Sequence, residues 1–121
     1  MPTILIVEDN INILENLCET LEFAGYTVLE ARDGQEGLAH AQEHHPDLII
    51  SDIVMPNLDG FDMLRALRQE KTTESIPVIF TTALADQSAV QAGLELGALR
   101  YITKPFYSEE LLTIVGDVLK S

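Results

Sequence analysis

The chain has only one cysteine, few basic residues and no long apolar run. With Cys18 as the lone thiol, no disulfide can form within the chain, which fits a reducing compartment. Seven Lys and Arg residues stand against 20 Asp and Glu residues, giving a net charge of −13. This charge argues against direct binding to nucleic acid or to an anionic membrane, because phosphates would be repelled. No apolar stretch approaches the roughly 20 residues that span a bilayer, and no signal-like leader precedes the first apolar run. We therefore expect a cytoplasmic protein.

The apolar residues occur in short runs that alternate with helical patterns. With 121 residues, of which 46% are hydrophobic, the chain is long enough for one domain with a real core, and we take that domain as residues 1–121. Alternating strands and helices with tight connections predict an α/β fold, a parallel sheet covered by helices on both faces. Strands are predicted at residues 3–7, 26–31, 48–52, 78–80 and 101–103.

Polar side chains follow four of these strands at the point where the apolar run ends. Asp52 closes the third strand, whose apolar run begins at Leu48, and Glu8 and Asp9 follow the first strand. Thr82 follows the fourth strand and Lys104 the fifth. Because ligands bind outside the carboxyl ends of parallel strands, we expect these groups to share one small crevice.

Three carboxylates in one crevice need a counter-charge. At an effective dielectric of 20, two like charges about 4 Å apart repel by roughly 4 kcal/mol. Either one of Glu8, Asp9 and Asp52 is protonated or a divalent cation is bound, and hard oxygen ligands suit Mg²⁺. A backbone carbonyl just past Asp52 could add a neutral ligand. A carboxylate beside Mg²⁺, a lysine and a hydroxyl has most of what phosphoryl transfer requires, and the product would be an aspartyl phosphate.

The order and spacing of these groups resemble those of the receiver domain of two-component response regulators, similar to the single-domain chemotaxis regulators. Each motif is weak alone, but together they cover the whole chain in the family's order. They are Val7-Glu8-Asp9, the segment from Asp52 to Gly60, Thr82-Ala83 and Lys104-Pro105-Phe106. The resemblance implies a flavodoxin-like fold, with a five-stranded parallel sheet in the order 2-1-3-4-5.

The resemblance also implies roles for individual residues. Asp52 would be the phosphoacceptor, taking its phosphoryl group from the phosphohistidine of a histidine kinase or phosphotransfer protein. Asp9, Asp52 and the Val54 carbonyl would hold Mg²⁺, with Glu8 acting through water. Lys104 would pair with the phosphoryl group, and its bond to Pro105 would be cis. Such a chain is not an enzyme in the usual sense, because it catalyses only its own phosphorylation and dephosphorylation.

A conformational switch is implied by the same resemblance. Thr82 would move to a phosphoryl oxygen, and Tyr101 would rotate inward into the space that Thr82 leaves. The readout surface would be the fourth helix, fifth strand and fifth helix, used by a downstream target that the sequence does not name. The chain would be a monomer or a phosphorylation-dependent dimer. Val54 and Leu84 would flank the path of the hydrolytic water, and because neither side chain can orient a water, we predict slow self-dephosphorylation.

Three other functions fit the sequence less well. A phosphohydrolase of the haloacid-dehalogenase type needs an acidic residue two positions after its nucleophile, where this chain has Val54. A flavodoxin-like FMN carrier needs a hydroxyl- and glycine-rich phosphate loop, where Glu8 and Asp9 would repel phosphate. A degenerate receiver, used only as an interaction module, disagrees with the intact set of acidic residues, threonine and lysine.

Two remaining features have plainer interpretations. His40 and His44 are four residues apart on a predicted helix and could ligate a metal, but solvated polar residues near a helix C-terminus are the favoured interpretation. Cys18 falls on the apolar face of the first predicted helix, so we expect a small, inert core residue.

Overall fold

The computed structural model describes residues 2–82 and 87–120, the side chains of residues 87–89 excepted. In this part of the chain five strands alternate with five helices. In chain order they are β1 (Thr3–Val7), α1 (Ile11–Phe23), β2 (Thr27–Ala31), α2 (Gly34–His44), β3 (Leu48–Asp52), α3 (Gly60–Arg68), β4 (Val78–Thr82), α4 (Gln87–Glu95), β5 (Arg100–Thr103) and α5 (Ser108–Lys120).

The strands form one parallel sheet in the order β2-β1-β3-β4-β5, which confirms the expected topology. The register aligns the carboxyl ends of β1, β3, β4 and β5. Val7 pairs with Ser51, Asp52 pairs with Thr81 and Thr82 pairs with Thr103. Residues that follow these pairs therefore leave the sheet at the same edge.

Helices cover both faces of the sheet because the central strands are apolar on both sides. Leu5 and Ile49 are packed in a cluster with residues of α2 and α3. Ile4 and Ile50 point the other way and are packed with residues of α1 and α5. Successive side chains of a strand alternate between faces, so a continuous apolar run supplies both layers at once.

The strand bounds differ slightly from the predicted ones. β4 continues through Thr81 and Thr82, beyond the apolar run that predicted it, and both threonines are buried. β-branched residues suit a pleated, buried surface, and Thr81 is paired on both sides, with Asp52 and Ile102. β2 begins at Thr27 and β5 at Arg100, each one residue from the predicted start.

The residues at the two ends of α1 explain where this helix begins and ends. The Asn10 side chain accepts hydrogen bonds from the backbone N–H groups of Asn12 and Ile13, which caps α1. Gly25, just past the end of α1, has a φ of 98°, a left-handed conformation that glycine adopts without strain.

Cys18 is buried in the α1 face, and burial, with Glu30 nearby, raises the pKa of its thiol to about 12.

Candidate functional site

Three carboxylates meet at the carboxyl edge of the sheet, as the sequence predicts. Glu8, Asp9 and Asp52 each offer an oxygen within 4.8 Å of the others. Glu8 and Asp9 leave the sheet directly after β1, while Asp52 is the last residue of β3. Since β1 and β3 are paired neighbours, their strand ends bring these groups to the same edge of the sheet.

Lys104, which directly follows the edge strand β5, reaches the same crevice. Its Nζ lies 2.7 Å from Glu8 Oε1 and 3.4 Å from Asp52 Oδ2. The backbone N–H of Lys104 donates to the Thr82 carbonyl oxygen at 2.7 Å, which fixes where the side chain leaves β5. The Lys104–Pro105 peptide bond is cis, as predicted. The resemblance does not imply this pairing with Glu8, because it assigns Lys104 to the phosphoryl group.

Glu8 is the most deeply placed acid of the cluster. It is 1% exposed and accepts hydrogen bonds from Lys104 Nζ and from the Asn10 backbone N–H. Burial raises the pKa of Glu8, the Asp52 charge adds to that rise, and the bonds from Lys104 and Asn10 only partly oppose it. The crevice therefore favours a proton or a further cation near Glu8.

Asp52 keeps one carboxylate oxygen turned towards the crevice. Its Oδ1 accepts from the Ile53 backbone N–H at 2.8 Å, while Oδ2 faces the Lys104 ammonium. The side chain is 16% exposed, so a small donor can approach it. Asp9 is exposed at the mouth, and the Val54 side chain, two residues past Asp52, is 67% exposed.

The two predicted switch residues lie on the neighbouring strands β4 and β5. Thr82 is buried at the end of β4, one position beyond the residue that pairs with Asp52. Tyr101 is half-buried, its ring tilted against that of Phe80 with centroids 5.7 Å apart. Burial raises the pKa of Tyr101, and a hydrogen bond with the Gly93 backbone partly opposes the rise. Leu84, predicted to flank the hydrolytic water, lies outside the described residues.

Gly93 of α4 is a site residue that sequence reasoning missed. A Cβ built at this position would overlap the Tyr101 hydroxyl and would lie 3.0 Å from Phe61 Cε1. The absence of a side chain at Gly93 is thus what lets the tyrosine ring lie under α4. The available signal was a glycine inside a helical pattern, which often has a packing reason.

The donor set of the crevice fits a hard divalent cation. All three side-chain ligands are carboxylate oxygens, the atoms that Mg²⁺ and Ca²⁺ prefer, and neither sulfur nor imidazole is among them. Among residues 2–82 and 87–120, the acidic, His and Cys side chains that lie close enough in a group of three to share an ion are those of Glu8, Asp9 and Asp52. His40 and His44 instead stack on each other, with ring centroids 5.8 Å apart.

Within the described ranges, every helix is too short or too polar to cross a membrane.

A family model for the response regulator receiver domain matches residues 4–116. The chain belongs to this family. Its fold agrees with solved members: the chemotaxis protein CheY4 of Vibrio cholerae superposes with a TM-score of 0.93 at 37% identity, covering 98% of each chain. The signal receiver domain of a signal transduction histidine kinase from Syntrophus aciditrophicus gives 0.91 at 39% identity, covering 99% of this chain and 91% of that one.

Curated relatives with similar sequences are longer proteins. The chain is 42% identical over 120 residues to the DNA-binding dual master transcriptional regulator RpaA of Synechocystis sp., covering 99% of this chain and 50% of RpaA. It is 41% identical over 118 residues to the phosphate regulon transcriptional regulatory protein PhoB of Pseudomonas aeruginosa, covering 98% of this chain and 52% of PhoB. The chain thus spans about half the length of the curated relatives it matches. Membership of the receiver family also disfavours the phosphohydrolase and FMN-carrier readings.

Proposed function

We propose that Asp52 accepts a phosphoryl group from the phosphohistidine of a histidine kinase or a phosphotransfer protein. The observation that carries this proposal is the convergence of Glu8, Asp9, Asp52 and Lys104 at one edge of the sheet. Asp52 combines a partly exposed side chain with a carboxylate oxygen 3.4 Å from the Lys104 ammonium. Asp9 is too exposed, and Glu8 too deeply buried, to serve as well.

The metal assigned to the crevice is Mg²⁺. Asp9, Asp52 and the Val54 carbonyl would hold it, with Glu8 acting through water, and the ion would offset the negative charge of the phosphoryl oxygens. The side chains of Asp52, Lys104 and Thr82 would carry out the transfer of the phosphoryl group.

In the transfer, an Asp52 carboxylate oxygen forms a bond to phosphorus while the bond from phosphorus to the donor's imidazole nitrogen breaks. The electron pair of the broken bond stays on that nitrogen. Lys104, 3.4 Å from Asp52 Oδ2, is close enough to turn from Glu8 towards a phosphoryl oxygen. The Thr82 hydroxyl would hydrogen-bond another. The chain would catalyse only its own phosphorylation and dephosphorylation, without turnover of other phosphate esters.

The switch follows from the added charge. Phosphorylation makes the crevice more negative and adds strong hydrogen-bond acceptors, so it favours any conformation that brings donors such as Thr82 closer. Tyr101 packs against Phe80, two residues before Thr82 on β4, and its hydroxyl lies against Gly93 of α4. A shift of Thr82 would therefore be passed through Tyr101 to the surface of α4, β5 and α5. We assign that surface to a downstream protein target, with the chain acting in the cytoplasm as a monomer or a phosphorylation-dependent dimer.

The test is incubation with acetyl phosphate and Mg²⁺, followed by intact mass measurement. Wild type should gain the mass of one phosphoryl group, and Asp52→Asn should not. Asp59→Asn is the matched control, because Asp59 caps α3 nearby without belonging to the carboxylate cluster, and it should be labelled like wild type. Wild type that stays unlabelled, under conditions that label another receiver domain, would overturn the proposal in favour of a degenerate interaction module.

A further inference from the structure

The turn between β2 and α2 contacts the loop after β1, which carries Glu8 and Asp9, and the loop that follows Asp52. We call residues 31–34 the bridging turn. On one side, the Glu8 backbone N–H donates to the Ala31 carbonyl oxygen at 3.0 Å, and Arg32 Nη2 reaches the Asp9 carbonyl oxygen at 3.5 Å. These bonds hold the loop after β1 against the end of β2.

On the other side, the bridging turn contacts the loop between β3 and α3. Asn57 Nδ2 donates to Asp33 Oδ2 at 2.8 Å, and the Gly34 backbone N–H donates to the Leu58 carbonyl oxygen at 3.0 Å. A Cβ at Gly34 would overlap that Leu58 oxygen. Only glycine therefore allows the two backbones to approach this closely. β2 and β3 are not neighbours in the sheet, since β1 lies between them.

The conformation of Asn57 is suited to this contact. Its φ is 68°, in the left-handed region that asparagine tolerates better than most residues. Asp33 uses both carboxylate oxygens: Oδ1 accepts from the Glu36 backbone N–H at 2.8 Å and caps α2, while Oδ2 accepts from Asn57. The bond from Glu36, with that from Asn57, lowers the pKa of Asp33, so the carboxylate is ionised at neutral pH and both bonds are charge-assisted.

We propose that Asp33 and Asn57 are positioning residues for the metal site. Through the bridging turn they hold the loop of Glu8 and Asp9 at a set distance from the loop that follows Asp52, so the carboxylates are in place before Mg²⁺ arrives. This inference rests on the proposed function. Ligands held by outer hydrogen bonds bind metal more tightly than ligands that must be ordered on binding.

The experiment is calorimetric titration of the full chain with MgCl₂ at pH 7. Asn57→Gly deletes the amide donor, keeps the charge of the protein and tolerates a positive φ, so the fold should survive. Losing one such hydrogen bond should weaken Mg²⁺ binding about fivefold. Asp33→Ser keeps a cap for α2 but is too short to reach Asn57. Asp59→Ser is its control, because it makes the same change, with the same loss of charge, at the cap of α3.

A double-mutant cycle separates the hydrogen bond from loop flexibility. In the Asp33→Ser background, Asn57→Gly should have little further effect on Mg²⁺ affinity, and Asp33→Ser should weaken binding more than Asp59→Ser does. Wild-type affinity in Asn57→Gly, or an equal loss in both backgrounds, would overturn the positioning role while leaving the proposed function intact. A wild-type chain that binds no Mg²⁺ and takes no phosphoryl group would instead overturn the proposed function, and this inference with it.

Discussion

Lys104 and Glu8 are separated by 96 positions in the chain, and the ammonium of Lys104 lies 2.7 Å from a carboxylate oxygen of Glu8. The pair occupies the buried side of the crevice, while Asp52 and Asp9 lie nearer its mouth. Lys104 is therefore already in the site, held by the deepest acid. In the proposed reaction it needs to shift only from one oxygen to another.

The burial of Glu8 predicts a pH dependence for the metal-free protein. Its pKa in the folded state is raised above the ordinary value of 4.5. A raised carboxyl pKa contributes stability below the unfolded value, and that contribution is lost as the pH rises through the folded value. The free energy of unfolding should therefore fall across this window in wild type, and Glu8→Gln should reduce the fall and be more stable at pH 7.

Urea unfolding between pH 4.5 and 7.5, without Mg²⁺, measures this difference. Glu15→Gln on the exposed face of α1 is the control and should keep the wild-type profile. If Glu8→Gln and wild type lose stability in parallel, Glu8 is not the group responsible.

Mg²⁺ should stabilise the folded chain through the acidic cluster. At ten times its dissociation constant, a ligand that binds only the folded state adds about 1.4 kcal/mol to the free energy of unfolding. Asp9→Asn should lose most of this gain, because it removes one of the three clustered carboxylates. Thermal unfolding with and without MgCl₂ gives the comparison. Glu74→Gln, exposed before the start of β4 at the opposite edge of the sheet, should keep the full gain; an equal loss in both variants would point to a general charge effect.

Val54 predicts a long-lived phosphorylated form. Its side chain is 67% exposed two residues past Asp52 and has no group that can orient a water. Val54→Asn should lose the phosphoryl group about tenfold faster, the change that about 1.4 kcal/mol of transition-state stabilisation produces. Loss of the phosphoryl mass with time measures the rate. Val54→Ala clears space without adding a polar group, so a rate equal to that of Val54→Asn would show that access alone matters, and an unchanged rate in Val54→Asn would contradict the prediction.

Gly93 should control the position of Tyr101. In Gly93→Ala the new methyl group overlaps the Tyr101 hydroxyl, so the ring must move out or α4 must shift. Such overpacking costs about 1–3 kcal/mol. As the ring becomes exposed, the pKa of Tyr101 should fall back towards its ordinary value of 10.0, because burial is what raises it. Phenolate absorbance follows this titration among the three tyrosines of the chain.

Gly116→Ala is the matched control for Gly93→Ala. On α5 a Cβ at Gly116 would meet nothing within 4 Å, so this variant should gain up to about 1 kcal/mol from helix propensity alone. Its tyrosine titration should match that of wild type. Equal stabilisation in both variants, with an unchanged titration, would show that the space under α4 is not limited.

Much of the site could be predicted from sequence because its main groups follow strands directly. Glu8, Asp52 and Lys104 each come at the end of an apolar run, and parallel strands present such ends at one edge. The partners of these groups could not be predicted in the same way. Whether Lys104 meets Glu8 or Asp52 depends on side-chain directions and on differences of less than 1 Å. The Asp33-Gly34 pair is typical of a turn, but no local pattern indicates that Asn57 would contact it.

The sequence by itself determined the alternation of strands and helices, the acidic character of one sheet edge and the caps at Asn10 and Gly25, because each depends on neighbouring residues and on short periodicities. The tertiary structure alone decided the pairing of Lys104 with Glu8, the place of the Tyr101 hydroxyl against Gly93 and the bond between Asp33 and Asn57. These contacts join residues far apart in the chain, and their geometry is set by how the layers pack, which local spacing does not encode.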